Sequence, residues 1–234
     1  MAASRLKGKP LLEINNVPII CHVLNKAMET GLEAIVATED KEIVTAVEQN
    51  GGGKVILTGN HKTGTDRIFE AFKKLKIENV DYILNLQGDE PMIDPKDIIN
   101  LNKLMIKNNS DIGTLASEIK KDTMLTNENI VKVITEKKLE NNNFVKALNF
   151  LRKGLTKENP NIYHHIGIYC YKVSVLEKFI NLDQTKNEIK NRLEQLRALD
   201  NNIKINVALA ESSPIGVDTK EDYLALKKIM EYKS

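Results

Sequence analysis

Apolar positions recur at helical spacing over residues 18–30. Ile19, Ile20, Val23, Leu24 and Ala27 share one face there, and Gly31 is placed to end the helix. Residues 34–38 form a short apolar run bounded by charge, the pattern of a buried strand. Asp40 stands where a side chain caps the next helix, 42–49, which stops at Gly51-Gly52-Gly53. The spacing then predicts a strand at 55–57, a helix over 65–75, a strand at 82–86, and a helix opened by Asp94-Pro95 that runs to about residue 107.

Strands that alternate with helices predict an α/β fold: a mostly parallel, twisted sheet with helices on both faces. Such sheets bind ligands beyond the carboxyl ends of their strands, so the loops after Thr38, Leu57 and Leu86 are expected to line one site. The middle of the chain changes character. Residues 112–119, 130–136 and 144–150 read as strands with polar connections, and Asn141-Asn142-Asn143 reads as a turn. A strand at 165–171 follows. This stretch, about 112–171, is read as a β-rich insertion used for oligomerisation. Helices at 173–180 and 191–199, a strand at 203–209 and a helix from about 220 to 232 complete the chain. The expectation is a single domain over 1–234.

Composition narrows the function classes. The chain has 234 residues, 41% of them hydrophobic, enough for a sizeable core. Its formal net charge of +2 and interspersed signs give no electrostatic footprint for nucleic acid. Cys21 and Cys170 are far apart and lack metal-type spacing, which fits a reducing cytoplasm. No apolar run is long enough to span a membrane, and the basic start is not followed by a signal-type apolar stretch.

Six segments carry candidate chemistry. In Leu86-Gln87-Gly88-Asp89-Glu90-Pro91 an apolar strand runs into a glycine and a carboxylate. Asp89 there is a hard-oxygen ligand placed for Mg²⁺ beside a nucleotide phosphate; the same residues also make an acidic turn. Asp218, in Gly216-Val217-Asp218-Thr219, is either a partner carboxylate for Asp89 or part of a helix cap. Ser4-Arg5-Leu6-Lys7-Gly8-Lys9 sets three basic residues around a glycine, suited to a triphosphate, yet it does not match the P-loop pattern. Thr63-Gly64-Thr65-Asp66-Arg67 opens a helix whose first donors can hold an anion, with Thr65 equally placed as a cap. His164 and His165 are strand neighbours that point to opposite faces, so a shared metal is not expected; one faces the crevice and one faces out. Leu193-Glu194-Gln195-Leu196-Arg197 reads as helical with a polar surface face.

Taken in order, SRLKGKPL, GTDR, LNLQGDEPMI, VKVI, HHIGIYCYK, LEQLRAL and GVDTKEDY resemble the 3-deoxy-manno-octulosonate cytidylyltransferases over nearly the whole chain. The resemblance implies a glycosyltransferase-A-like nucleotidyltransferase fold, a homodimer, Mg²⁺ as cofactor, and transfer of CMP from CTP to an acidic eight-carbon sugar for lipopolysaccharide assembly. It implies roles as well. Arg5 and Lys9 match the residues that hold the CTP phosphates. Thr63 and Arg67 match positions near the nucleotide, and Gln87 a sugar or nucleotide contact. Asp89 and Asp218 match the metal ligands, with Lys9 beside them in the catalytic group. His165, Tyr169, Glu194 and Gln195 match positions that contact the sugar acid.

Two departures shape the expectations. The family begins with a buried strand ending in Pro-Ala-Arg, and this chain starts at Met1 where that strand should finish, so Met1 is expected to be an internal methionine. The family's Ser-Arg pair falls where this chain has Lys146, a cation without a bidentate fork, with Arg152 able to compensate. An amino-substituted octulosonate or a nonulosonic acid is the alternative sugar, and an inactive nucleotide-binding remnant the alternative of another class.

Overall fold

The computed structural model describes residues 6, 8–50, 52–153, 161–212, 216–217 and 219–232. After a 3-10 turn at Lys9–Leu11 come β1 (Glu13–Ile14), β2 (Val17–Pro18), α1 (Ile19–Met28), β3 (Ile35–Thr38), α2 (Lys41–Gln49), β4 (Lys54–Leu57) and α3 (Gly64–Leu75). The chain continues through β5 (Tyr82–Asn85), α4 (Pro95–Asn108), β6 (Ile112–Ser117), α5 (Asp122–Thr126), β7 (Lys132–Thr135), β8 (Phe144–Leu151) and β9 (Ile162–Lys172). It ends with α6 (Val173–Ile180), α7 (Lys186–Asn191), α8 (Gln195–Asp200), β10 (Ile205–Leu209) and α9 (Lys220–Tyr232).

The residues pack as two compact units. The first holds the described residues of Met1–Asn79, Leu86–Ile98 and Pro214–Ser234; the second holds Val80–Asn85 and Ile99–Ser213. The strands of the 112–171 stretch are not a separate layer: β6 to β9 share one sheet with β5 and β10.

In the first unit β3 and β4 pair in parallel. Cys21, Leu24, Val36 and Val47 form one core cluster there, bringing α1 and α2 onto β3. A second cluster joins Ile14, Ile19, Val217 and Leu226, so the segment that leads into α9 is sewn to the β1–β2 hairpin. That hairpin turns through Asn15 and Asn16, both at positive φ (52° and 61°), a conformation that asparagine tolerates. α2 is capped as its sequence predicts, with Asp40 accepting from the Glu42 N–H at 2.9 Å.

The second unit contains a six-stranded sheet in the order β5-β9-β6-β10-β8-β7, and β7 also pairs with β9. The eleven-residue β9 thus closes a ring of strands. Only β6 and β10 run parallel among its described ladders; the others are antiparallel. This corrects the expectation of a mostly parallel sheet. Here 144–151 returns on 132–135 through the Asn142 turn, and 162–172 runs back against β5, β6 and β7. α4 lies close on β6 at Gly113, where an added Cβ would come within 2.7 Å of Phe144 and 2.5 Å of Met105.

One further difference concerns the helix expected at 191–199. It is broken: α7 ends at Asn191, Arg192 follows in the left-handed region, and α8 starts after Glu194.

Candidate functional site

The first unit holds the described residues read as nucleotide and metal contacts. Gly8 sits at φ 68°, a left-handed conformation that glycine adopts without strain, and turns the chain into Lys9. The Lys9 side chain is buried, 10% exposed. Its ammonium group donates to the Asp89 carboxylate and, at 2.8 Å, to the backbone carbonyl of Val217. The Val217 N–H in turn donates to the Asp89 carbonyl at 3.0 Å. Three segments distant in sequence are therefore pinned at one point: the basic turn, the loop after Leu86, and the segment before α9. Asp89 keeps part of its carboxylate accessible, its side chain being 23% exposed. Gln87 is exposed on the same loop, where its carbonyl accepts from the Glu90 N–H.

Arg5 and Asp218 lie outside the described residues. Thr219 takes the capping position at the start of α9: its hydroxyl accepts from the Asp222 N–H at 3.1 Å, and the Asp222 carboxylate accepts from the Thr219 N–H at 2.8 Å.

Thr63, not Thr65, caps α3. Its hydroxyl accepts from the Asp66 N–H at 3.1 Å and donates to the Asp66 carboxylate at 2.9 Å. Thr65 is buried. Arg67 is half-buried and paired with Glu39 at 3.2 Å. Glu39 was missed by sequence reasoning; its signal was a position one residue past an apolar strand, at the end predicted to face a ligand. The loop ahead of Thr63 is held by Glu70, which accepts from the Gly59 N–H, His61 and Lys74. Lys74, His61 and the Gly59 N–H together pull the Glu70 carboxyl down to about 2.

Apart from Gln87, the residues read as sugar contacts lie in the second unit. His165 is buried on β9, with its Nε2 at 2.9 Å from the Thr114 hydroxyl. Its ring meets Phe150 edge-on at 5.1 Å and tilts against Tyr169 at 5.4 Å. Burial, reinforced by His164 and Arg152, lowers its pKa to about 3, so the imidazole is neutral. His164 is half-buried instead, with its Nδ1 3.5 Å from the Ser117 hydroxyl. Tyr169 stacks on Tyr171 at 5.8 Å, and its hydroxyl is buried with no hydrogen-bond partner among the described residues. Burial, then Tyr171 and Glu194, raise its pKa well above the phenol's usual value, so it stays an O–H donor. A buried phenol without a partner is costly unless a ligand supplies one.

Gln195 and Arg197 are buried, not on a polar surface face as their sequence suggests. Arg197 donates to both oxygens of Glu188, Nε to Oε2 at 2.8 Å and Nη2 to Oε1 at 2.6 Å. It also lies 4.8 Å over the Phe179 ring and 3.7 Å from a Glu194 oxygen. The signal for this arrangement was the Thr185-x-x-Glu188 capping box, present in the structure. Lys146 is exposed on β8, opposite Asn206 of β10. Arg152 donates to the carbonyls of Glu128 and Asn129.

Among the described residues no group of three or more His, Cys, Asp or Glu side chains could hold a metal alone, and no helix is long and apolar enough to cross a membrane.

Comparison with known proteins places the chain in a family. Residues 1–205 match the family model described as cytidylyltransferase. A 3-deoxy-manno-octulosonate cytidylyltransferase of Bartonella tribocorum is 38% identical over 98% of this chain and 95% of its own. That of Thermodesulfovibrio yellowstonii is 41% identical, over 97% and 94%. The solved structure of a CMP:2-keto-3-deoxy-manno-octonic acid synthetase complexed with CTP superposes with a TM-score of 0.87 at 33% identity, covering 99% of this chain and 95% of that one. The chain belongs to the cytidylyltransferases, among the enzymes that act as 3-deoxy-manno-octulosonate cytidylyltransferases.

Proposed function

We propose that this chain transfers CMP from CTP to 3-deoxy-manno-octulosonate, releasing pyrophosphate, as a cytoplasmic homodimer that feeds lipopolysaccharide assembly. The observation that carries the site assignment is the anchoring of Lys9: a buried ammonium group fixed between the Asp89 carboxylate and the Val217 carbonyl.

In this reading Arg5, Lys9, Thr63 and Arg67 hold the nucleotide. Arg67 exchanges Glu39 for phosphate oxygens, a charge-for-charge substitution that leaves its guanidinium paired. Thr63, whose hydroxyl caps α3, contributes through the helix start it fixes. Gln87 lies on the loop that carries Asp89. Lys146, His165, Tyr169, Glu194 and Gln195 recognise the sugar. The Tyr169 O–H donates, and the neutral His165 ring can accept, a set suited to a polyhydroxyl acid.

Magnesium fits the donor set around Asp89. The ion takes one or two carboxylates and completes its shell with phosphate oxygens and water. Asp89 and Asp218 would hold it, and when bound it neutralises charge on the phosphates. The chain's own residues position the reactants. The anomeric hydroxyl oxygen of the sugar forms a bond to the α-phosphorus, the bond from that phosphorus to the bridging oxygen of the β-phosphate breaks, and the hydroxyl proton is released. Lys9 offsets the charge that develops on the phosphates. No covalent enzyme intermediate is required.

The test is pyrophosphate release measured with each nucleoside triphosphate in turn, with and without the sugar. Release that needs both CTP and the sugar supports the reading. Release with ATP or UTP at equal rate, or without the sugar, removes it.

A further inference from the structure

We infer that Thr114 is a positioning residue: it locks His165 in the Nε2–H tautomer, so that Nδ1 presents a lone pair that accepts a hydrogen bond from a sugar hydroxyl. The second half rests on the proposed function; the tautomer itself does not.

β6 and β9 lose register between Thr114 and Leu115. Thr114 stands opposite Tyr169, while Leu115 stands opposite Ile166, so Gly167 and Ile168 are extra residues on β9. A bulge of this kind leaves ladder groups without strand partners. Here the Thr114 hydroxyl takes up the carbonyls that the bulge turns inward. Its oxygen lies 2.6 Å from the Ile168 carbonyl oxygen and 3.3 Å from that of Ile166.

A threonine hydroxyl has one proton, and both carbonyls are acceptors only. At 2.6 Å the proton must point to Ile168, since two oxygen lone pairs would otherwise face each other. The hydroxyl oxygen is then an acceptor toward the third neighbour, His165 Nε2 at 2.9 Å. Nε2 must therefore carry a proton. Burial keeps the ring neutral, so Nδ1 carries none. No hydrogen bond to Nδ1 is made among the described residues. Thr114 is itself fully buried, which leaves no water to substitute for it.

The consequence is one of specificity. An Nδ1 lone pair accepts from a hydroxyl and repels a carboxylate. His165 thus reads a hydroxyl of the acidic sugar and not its acid group.

Long-range ¹H–¹⁵N correlation spectra of the labelled chain distinguish the tautomers. The chain has four histidines, and His165 is assigned by the signal lost in His165→Gln. The expected result is a protonated Nε2 and an unprotonated Nδ1 at neutral pH. A protonated Nδ1 in the unaltered chain overturns the inference. Kinetics test the second half. Thr114→Val, checked for folding by circular dichroism, should raise the KM for the sugar about tenfold, the scale of one lost hydrogen bond, with the KM for CTP unchanged. Thr114→Ser keeps the hydroxyl and should restore both the tautomer and the KM. Equal losses in the Val and Ser variants, or an unchanged sugar KM in Val, overturn it. An unaltered chain that shows the expected tautomer but no turnover of the sugar fails the functional reading alone.

Discussion

Changing Glu188 to Gln should cost this protein roughly 3 kcal/mol of stability, the lower end of what breaking a buried ion pair costs. Both side chains are shielded from water, 4% exposed for Glu188 and 5% for Arg197. The substitution keeps one acceptor for Arg197 but removes the nearer, bidentate carboxylate of the two that pair with a buried guanidinium. It also weakens the capping box, in which the Thr185 N–H donates to Glu188 Oε2 at 3.3 Å. For a chain of this size, that loss lowers the melting temperature by roughly 6–12 °C. Thermal melts followed by far-UV circular dichroism measure it. The double variant Glu188→Gln/Arg197→Met should lose less than the two single variants summed, because neither buried charge is then left without its bidentate partner. Acid provides an independent check. Burial, the largest influence on Glu188, pulls its carboxyl up, but the hydrogen bonds from Arg197 and Gln184 outweigh it and hold the pKa below the ordinary 4.5. A depressed folded value means that the contribution is complete above the unfolded pKa and is lost as pH falls through the folded one. The unaltered chain should therefore lose more stability below about pH 4.5 than the Gln variant does. A Glu188→Gln melting temperature within about 2 °C of the unaltered chain would refute the reasoning.

Three other outcomes are expected. Lys132 is fully buried and donates to the carbonyls of Asn127, Ile130 and Arg152 at 2.8, 3.0 and 2.6 Å; Lys132→Met should lower stability by about 2–4 kcal/mol, because three orphaned carbonyls outweigh the relief of a desolvated charge, and a neutral urea melt would contradict it. Asp89→Asn should reduce turnover by about 10²-fold or more with an unchanged circular dichroism spectrum, and near-normal rates would remove Asp89 from the metal assignment. Lys146→Ala should raise the KM for the sugar roughly 3- to 10-fold while leaving that for CTP alone; an unchanged sugar KM would take Lys146 out of the site.

Where a pattern is local, the sequence carried it. Asp40 caps α2 as read, because a cap depends on neighbours along the chain; the cap of α1 is Glu29, two residues short of the expected Gly31. The run into Asp89 pointed to the loop that Lys9 reaches, since a strand followed by glycine and a carboxylate is also a local signal. Strand direction was not local. The two-sided pairing of β9 with β6 and β7 is decided by which distant edges its apolar residues can cover, and periodicity says nothing of that. The misreading of Leu193–Arg197 as a surface face has the same origin. Arg197 looks solvated until Glu188, nine positions earlier, is seen to neutralise it. Thr114 was invisible for a subtler reason: its role depends on a bulge in a partner strand some fifty residues away.

The measurement that bears most directly on the central claim is ³¹P NMR of CTP mixed with the chain, Mg²⁺ and 3-deoxy-manno-octulosonate labelled with ¹⁸O at the anomeric hydroxyl. The account predicts a CMP–sugar ester and pyrophosphate in equal amounts, with the isotope shift on the ester phosphorus and none on pyrophosphate. An unlabelled ester, or CTP consumed without any ester, would contradict it.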